Sequence, residues 1–241
     1  MCIRDSLWGL WIDPLYIALF VATLVISGGA QIFIKSQFGR WSGVSNSAGL
    51  TGVQIGERLG QDIHFADTPQ GTDRVSFKIV PGDLSDHFDP RTKEIGLSEV
   101  VATRDSVAAM AVTAHEVGHA QQDAEGTVAM RARAFLVPAL TFSPTLSYIL
   151  IFMGLIFNLT GLFWLGIVVF GLMVVFSILT LPVEIGASRR ALVMLRETGL
   201  IATEQDEQGV RRVLAAAAMT YVAAAVTSIL TLLYYISLAR R

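Results

Sequence analysis

The sequence predicts a mainly α integral membrane protein, with about four transmembrane helices and a small α+β extramembrane domain. Two observations predict it. Only 16% of the 241 residues are charged, and no Asp, Glu, Lys or Arg occurs in 14–34, 134–183 or 213–239, stretches that total 98 residues. The other 143 residues carry all 38 charges, or 27%, which is the proportion of an ordinary soluble domain. This partition excludes a plain soluble globule, a disordered chain and a collagen-like chain. A net charge of −2, with 10 basic against 13 acidic residues in Lys35–Arg133, also excludes a nucleic-acid binder, which needs a surplus of cations. The single cysteine, Cys2, forms no internal disulfide and fits a reducing compartment.

The elements follow in order. Residues 1–12 form an N-terminal segment whose opening Met1–Ser6 fits no later pattern and reads as partly non-native. About 20 apolar residues cross a hydrocarbon core of roughly 30 Å, so 13–34 is the first transmembrane helix. Residues 35–133 form an extramembrane segment. Within it Thr51 caps a helix to about Gly60, Val75–Val80 alternates as a strand, and Leu84–Phe88 and Glu94–Ser98 flank a turn at Asp89–Thr92. A helix rich in Ala, Val and Met runs from Ser106 to Glu125, closed by Gly126. Segment 134–183 is long enough for two crossings, Leu136–Phe157 and Leu162–Leu181, broken by Asn158-Leu159-Thr160-Gly161. A second extramembrane piece, 184–212, opens with a separate helix near Val183–Glu197, and 213–241 holds the fourth crossing. Lys35/Arg40, Arg131/Arg133, Arg189/Arg190 and Arg211/Arg212 flank the crossings on one side, against Arg240 and Arg241 on the other, so the first side is cytoplasmic.

The Ser106–Glu125 helix contains His115-Glu116-Val117-Gly118-His119. Residues four apart leave the same helix face, so both imidazoles can reach one metal ion, and Glu116 can act on water there without taking a coordination position. With 4 His and 9 Glu in the chain, chance supplies roughly 0.002 such patterns. A pair of packing histidines is the competing reading, but burying them near a lipid span without a partner is costly. A catalytic zinc needs a third protein ligand. Glu184, the first charge after 50 uncharged residues, leads, because the two crossings between it and His119 return it to the same side. His87, Asp123, Glu125 and Glu197 are weaker candidates. His87 also stands as a possible carbonyl-polarising or oxyanion-stabilising residue, against a role as a turn histidine held by its Asp neighbours. Strand Ile95–Ser98, next to the motif helix, offers a possible edge for an extended substrate, against a place in the sheet core.

From about Asp13 to Arg240 the chain resembles the bacterial membrane zinc metallopeptidases of the YugP-like kind, the neutral zinc metallopeptidase family. The resemblance rests on Asp13-Pro14-Leu15-Tyr16, Leu50-Thr51-Gly52, Asp86-His87-Phe88-Asp89-Pro90-Arg91 with Leu97-Ser98-Glu99, Ala114–Gln121, and Leu181-Pro182-Val183-Glu184 with Ala187-Ser188-Arg189-Arg190-Ala191. It implies a zincin-like cytoplasmic domain, zinc on His115 and His119, and catalysis by Glu116. A more distant similarity to HtpX-like and CaaX-processing membrane proteases implies Glu184 as the third ligand. Those relatives carry Asp four residues after that glutamate, where this chain has Ser188.

The expected function is a membrane-anchored zinc-dependent endopeptidase of the bacterial inner membrane, with its site on the cytoplasmic side. Zn2+ is the cofactor, Glu116 the general base, and protein or peptide substrates at or near the lipid bilayer the partners. A non-catalytic metal-binding membrane scaffold is the alternative.

Overall fold

A computed structural model describes residues 13–65 and 74–240; the opening 1–12 segment lies outside the described residues. The described elements are α1 (Pro14–Ser42), α2 (Gly52–Gly60), β1 (Ser76–Val80), β2 (His87–Asp89), β3 (Glu94–Ser98), α3 (Glu99–Thr103), α4 (Val107–Ala124), α5 (Val128–Ile156), α6 (Thr160–Glu197) and α7 (Glu204–Ala239). They divide into two compact units. One comprises the described residues of Met1–Gln31 with Ala132–Leu181 and Thr220–Arg241; the other comprises Ile32–Arg131 and Pro182–Met219.

The first unit is helical and apolar. Among the described residues, three helices, α1, α6 and α7, are long and apolar enough to cross a membrane. In α5 the apolar run among the described residues is Ser143–Ile156, shorter than those. The turn between α5 and α6 falls at the expected break. Asn158 takes a left-handed φ of 54°, and Leu159 N–H reaches back to Gly154 O at 2.9 Å, a helix end in which Asn does the work usual for Gly. Gly154 and Gly166 let the two helices approach, since a Cβ at Gly154 would lie 2.5 Å from Phe163 N and one at Gly166 would lie 2.7 Å from Ile151 Cγ1.

One expectation is corrected. Residues 183–197 do not form a separate helix; α6 runs 38 residues straight through Pro182. A proline inside a helix removes one hydrogen bond and costs roughly 3 kcal/mol. Beyond it, Val183, Ala187, Ala191 and Leu195 recur every four residues, each fully buried, and burial of that stripe outweighs the break.

The second unit holds the α+β part. The sheet order is β1-β3-β2, with β1 parallel and β2 antiparallel to β3. Strand β3 is therefore central, paired on both sides, so its sheet-core reading holds and the edge reading does not. The second strand is also shorter and later than Leu84–Phe88, because Leu84 adopts a φ of 55° and leaves extended geometry. Thr51 caps α2 with a complete capping box: its side chain accepts from Gln54 N–H while the Gln54 side chain accepts from Thr51 N–H. Ser106 caps α4 by accepting from Ala109 N–H at 3.1 Å, and Gly126, at φ 60°, closes it as Thr127 N–H bonds Gln122 O at 3.1 Å.

Helix α4 lies in the core of this unit; Val107–Ala111, Ala114, Val117 and Ala120 are at most 1% exposed. Its small residues admit α2 at close range. A Cβ on Gly52 would lie 2.1 Å from Val101 O and 2.8 Å from Thr113 Oγ1, and the first neighbour is backbone that cannot rotate away. Gly52→Ala is expected to destabilise the protein by about 1–3 kcal/mol, read as a lowered thermal midpoint of the detergent-solubilised chain; an unchanged midpoint contradicts this packing.

Candidate metal centre

Three elements of the second unit build the site. Helix α4 presents His115 and His119 one turn apart, with ring centroids 4.7 Å apart in an edge-to-face arrangement. Helix α6, just past Pro182, presents Glu184. Its Oε2 lies 3.2 Å from His115 Nε2 and 3.4 Å from His119 Nε2. One ligand atom from each of the three residues falls within 4.8 Å of the others. A tetrahedral ion with N and O ligands at about 2.0–2.1 Å separates those ligands by about 3.3 Å, so both measured separations match.

The approach of α6 to α4 depends on a glycine within the motif. A Cβ at Gly118 would stand 2.6 Å from Ala187 O. Ala187 is three residues, nearly one helical turn, past Glu184, so the bare Cα at Gly118 sets how near that carboxylate comes to the histidines.

The hydrogen bonds behind the imidazoles decide what the cluster can hold. Gln122 Nε2 donates to Val183 O at 2.9 Å. A carbonyl only accepts, so the amide nitrogen faces it and Oε1 faces the other way, 3.2 Å from His119 Nδ1. That oxygen also only accepts, so His119 Nδ1 carries hydrogen. The neutral ring then points the lone pair of Nε2 at the Glu184 carboxylate. Two electron-rich atoms at 3.4 Å repel unless positive charge lies with them, as a proton on the ring or a metal ion in the cluster. On the other ring, Ser188 Oγ lies 3.2 Å from His115 Nδ1, leaving Nε2 toward Glu184 as well. The donor set is thus two imidazoles and a carboxylate, with Gln122 behind one imidazole and Ser188 behind the other, which fits zinc.

All four central groups are buried: His115 is 9%, Glu116 7%, His119 7% and Glu184 1% exposed. Burial by itself raises the Glu184 pKa, but hydrogen bonding and charge from His115 and His119 outweigh it and hold the carboxyl well below the usual range. Glu116 goes the other way. Burial pushes it up to about 7, His115 opposes that, and the Glu184 and Asp86 carboxylates add to it. Adjacent carboxyls with oppositely shifted pKa values divide naturally between holding a cation and moving a proton.

None of the remaining sequence candidates joins this cluster. Asp123 is paired with Lys93 at 2.6 Å, and Glu125 with Arg190 at 2.5 Å. Glu197 lines a separate cleft with Arg58 and Asp62. His87 is the exposed residue of β2, opposite Gly96, where a Cβ would stand 2.7 Å from the His87 ring. Its Nδ1 is 2.8 Å from Ser85 O and so carries hydrogen, which means that Nε2 donates only in the imidazolium form. Asp86, next to it, accepts from Ser98 N–H at 2.7 Å rather than from His87.

Sequence reasoning missed Gln122. The available signal was its place three residues after His119, one turn along the same face. Ser188 was singled out only as a departure from relatives, yet its hydroxyl occupies the position behind His115.

The profile of the family described as "Putative neutral zinc metallopeptidase" matches residues 16–240. The chain is similar to a protein of Bacillus subtilis (strain 168) named "Putative membrane protease YugP", with 38% identity over 222 residues, covering 92% of this chain and 95% of the relative. No solved structure matches the chain.

The raised pKa of Glu116 has a stability consequence with a definite sign. Between its unfolded value, near 4.5, and about 7, the folded state holds a proton that the unfolded state has lost, so stability falls as pH rises through this window. In metal-free protein, Glu116→Gln is expected to raise stability by roughly 2–3 kcal/mol at pH 8 and by little at pH 4.5. Thermal midpoints at the two pH values check this; equal increments contradict it.

Proposed function

The chain belongs to the neutral zinc metallopeptidase family, and from that premise we propose that it is a membrane-anchored zinc endopeptidase acting on membrane or membrane-proximal proteins. The observation that carries the reading is the buried cluster of His115, His119 and Glu184, with both imidazole Nε2 atoms within 3.4 Å of one carboxylate oxygen.

In this reading His115, His119 and Glu184 hold the zinc. Bound there, zinc supplies Lewis acidity, bringing the pKa of a coordinated water to about 7 and polarising the scissile carbonyl. Glu116, one residue along from His115, takes the proton of the attacking water and delivers it to the leaving amine. Its pKa, raised by burial to about 7, suits a group that must both accept and release a proton near neutrality. Gln122 and Ser188 hold the two rings in the tautomer and orientation that ligation needs. His87 acts as an oxyanion donor in its imidazolium form. A non-catalytic metal scaffold leaves a buried carboxyl beside the ligands with no task.

Four crossings, 13–34, 134–183 as a hairpin, and 213–241, anchor the site. Residues 134–156 of helix α5 rise about 34 Å, enough for the crossing that the hairpin requires. Segments 35–133 and 184–212 then form a zincin-like domain on the cytoplasmic side of the inner membrane, because eight basic residues flank that side against two on the other.

Zinc content and casein hydrolysis, measured on the same purified samples, test the proposal. Wild type is expected to hold one zinc and to cleave. Glu116→Gln keeps the zinc and loses at least 100-fold in rate, the scale of a general base. Gln122→Leu weakens zinc binding by about 10–100-fold. Full activity in Glu116→Gln would overturn the mechanism, and unchanged zinc affinity in Gln122→Leu would overturn the bracing role.

A further inference from the structure

We propose that Gly186 is a positioning residue for the metal centre: the side chain it lacks leaves the seat in which the Gln122 amide holds His119. The inference rests on the reading of His115, His119 and Glu184 as zinc ligands and gives a task to a residue that has no side chain of its own.

Glycine inside a helix is less stable than alanine there, so a glycine in mid-helix asks for a reason. Gly186 stands within the 38-residue α6, and its φ is not left-handed, so backbone conformation supplies none. Close passage of another backbone supplies none either. A Cβ at Gly118 would meet Ala187 O at 2.6 Å, which is backbone. The three atoms nearest a Cβ at Gly186 all belong to side chains: Gln122 Nε2 at 2.5 Å, Arg190 Nη1 at 3.5 Å and Gln122 Cδ at 3.8 Å. The atom in the way is thus the amide nitrogen that donates to Val183 O at 2.9 Å. Val183 and Gly186 are three residues apart and neighbours on the helix surface, so the accepting carbonyl and the bare Cα adjoin on α6.

The amide has no slack. Gln122 is 3% exposed, its nitrogen is engaged by Val183 O, and its oxygen lies 3.2 Å from His119 Nδ1. Non-bonded heavy atoms settle at about 3.5–4.0 Å, so a methyl group at 186 displaces the amide by about 1 Å. A hydrogen bond is lost by about 3.6 Å, so the amide cannot move that far and keep both partners. It is the tip of a flexible side chain, so it gives way and the helices stay. Gly186→Ala therefore takes the acceptor from His119 Nδ1 while both ligand-bearing helices remain in place. The ring then loses the partner that fixes its hydrogen on Nδ1 and its lone pair on Nε2. The two glycines divide the work: Gly118 sets how closely α4 and α6 approach, and Gly186 sets the orientation of one imidazole.

Zinc affinity, thermal midpoint and histidine NMR of the purified full chain test this in wild type, Gly186→Ala, Gln122→Ala and the double variant. In metal-free wild type the His119 Nδ1 hydrogen is expected as a resonance protected from exchange with water, because it is hydrogen-bonded whether or not Nε2 also carries a proton. Gly186→Ala should lose that protection and bind zinc about 10-fold more weakly, the scale of a group behind a metal ligand. In the Gln122→Ala background the seat is vacant. There Gly186→Ala should change zinc affinity by no more than about two-fold and should raise the metal-free midpoint, as alanine favours helix. An equal loss of zinc affinity in both backgrounds overturns the proposal, because a merely structural glycine would act in that way. A protected Nδ1 hydrogen with full zinc affinity in Gly186→Ala overturns it too, as does a Gly186→Ala chain that does not fold. The zinc reading fails separately: a wild-type chain that binds no zinc refutes that reading, while the Nδ1 hydrogen, which needs no metal, still reports on the seat.

Discussion

One hydrogen bond, from the Gln122 amide to the Val183 carbonyl, constrains the His119 and Glu184 side of the candidate metal centre. It joins the helix of the histidines to the residue before Glu184. A backbone carbonyl has no donor to offer, so the bond fixes which way the amide faces. The amide oxygen then fixes the proton of His119 on Nδ1, and the Nε2 lone pair is committed to the space in front of Glu184. Ordinarily a histidine tautomer is assigned by optimising alternatives; here it follows from a chain of groups that can each play only one part. The outcome is a buried carboxylate facing an imidazole lone pair, an arrangement that requires a cation.

Close backbone approach makes that bond possible. Gly118 lets α6 pass within contact of α4 at Ala187, and the buried Val183, Ala187, Ala191 and Leu195 stripe carries α6 past Pro182 without a break. Glu184 thus stands within a helix rather than on a loop. A ligand on a helix is held to a narrower range of positions than one on a flexible connection.

Much of this was legible in the sequence where one local rule sufficed. The cap at Thr51, the closing glycine at 126, the break at Asn158, and the motif helix with its two histidines all follow from spacing and turn chemistry. An even number of crossings between them predicts that Glu184 returns to the side of the histidines, and its Oε2 lies 3.2 Å from His115 Nε2 and 3.4 Å from His119 Nε2. What was not legible depends on tertiary context. The proline at 182 reads locally as a helix end, but its cost is outweighed by a buried stripe that only packing reveals. The strand at Glu94–Ser98 could have been edge or centre, because pairing partners are not encoded in alternation. Gln122 was missed because glutamine on a helix is ordinarily a solvated residue, and its role depends on a carbonyl 61 positions away.

The central claim is that the charge required between His119 and Glu184 is a zinc ion held by two imidazoles and one carboxylate. X-ray absorption at the zinc edge of the purified full chain tests it most directly. The account predicts about one zinc per chain, with two imidazole nitrogens and oxygen donors at about 2.0–2.1 Å, and a weakened imidazole signature in whatever zinc His119→Ala retains. A protein that binds no zinc, or whose zinc has no imidazole neighbours, would show that the required charge is a proton and contradict the account.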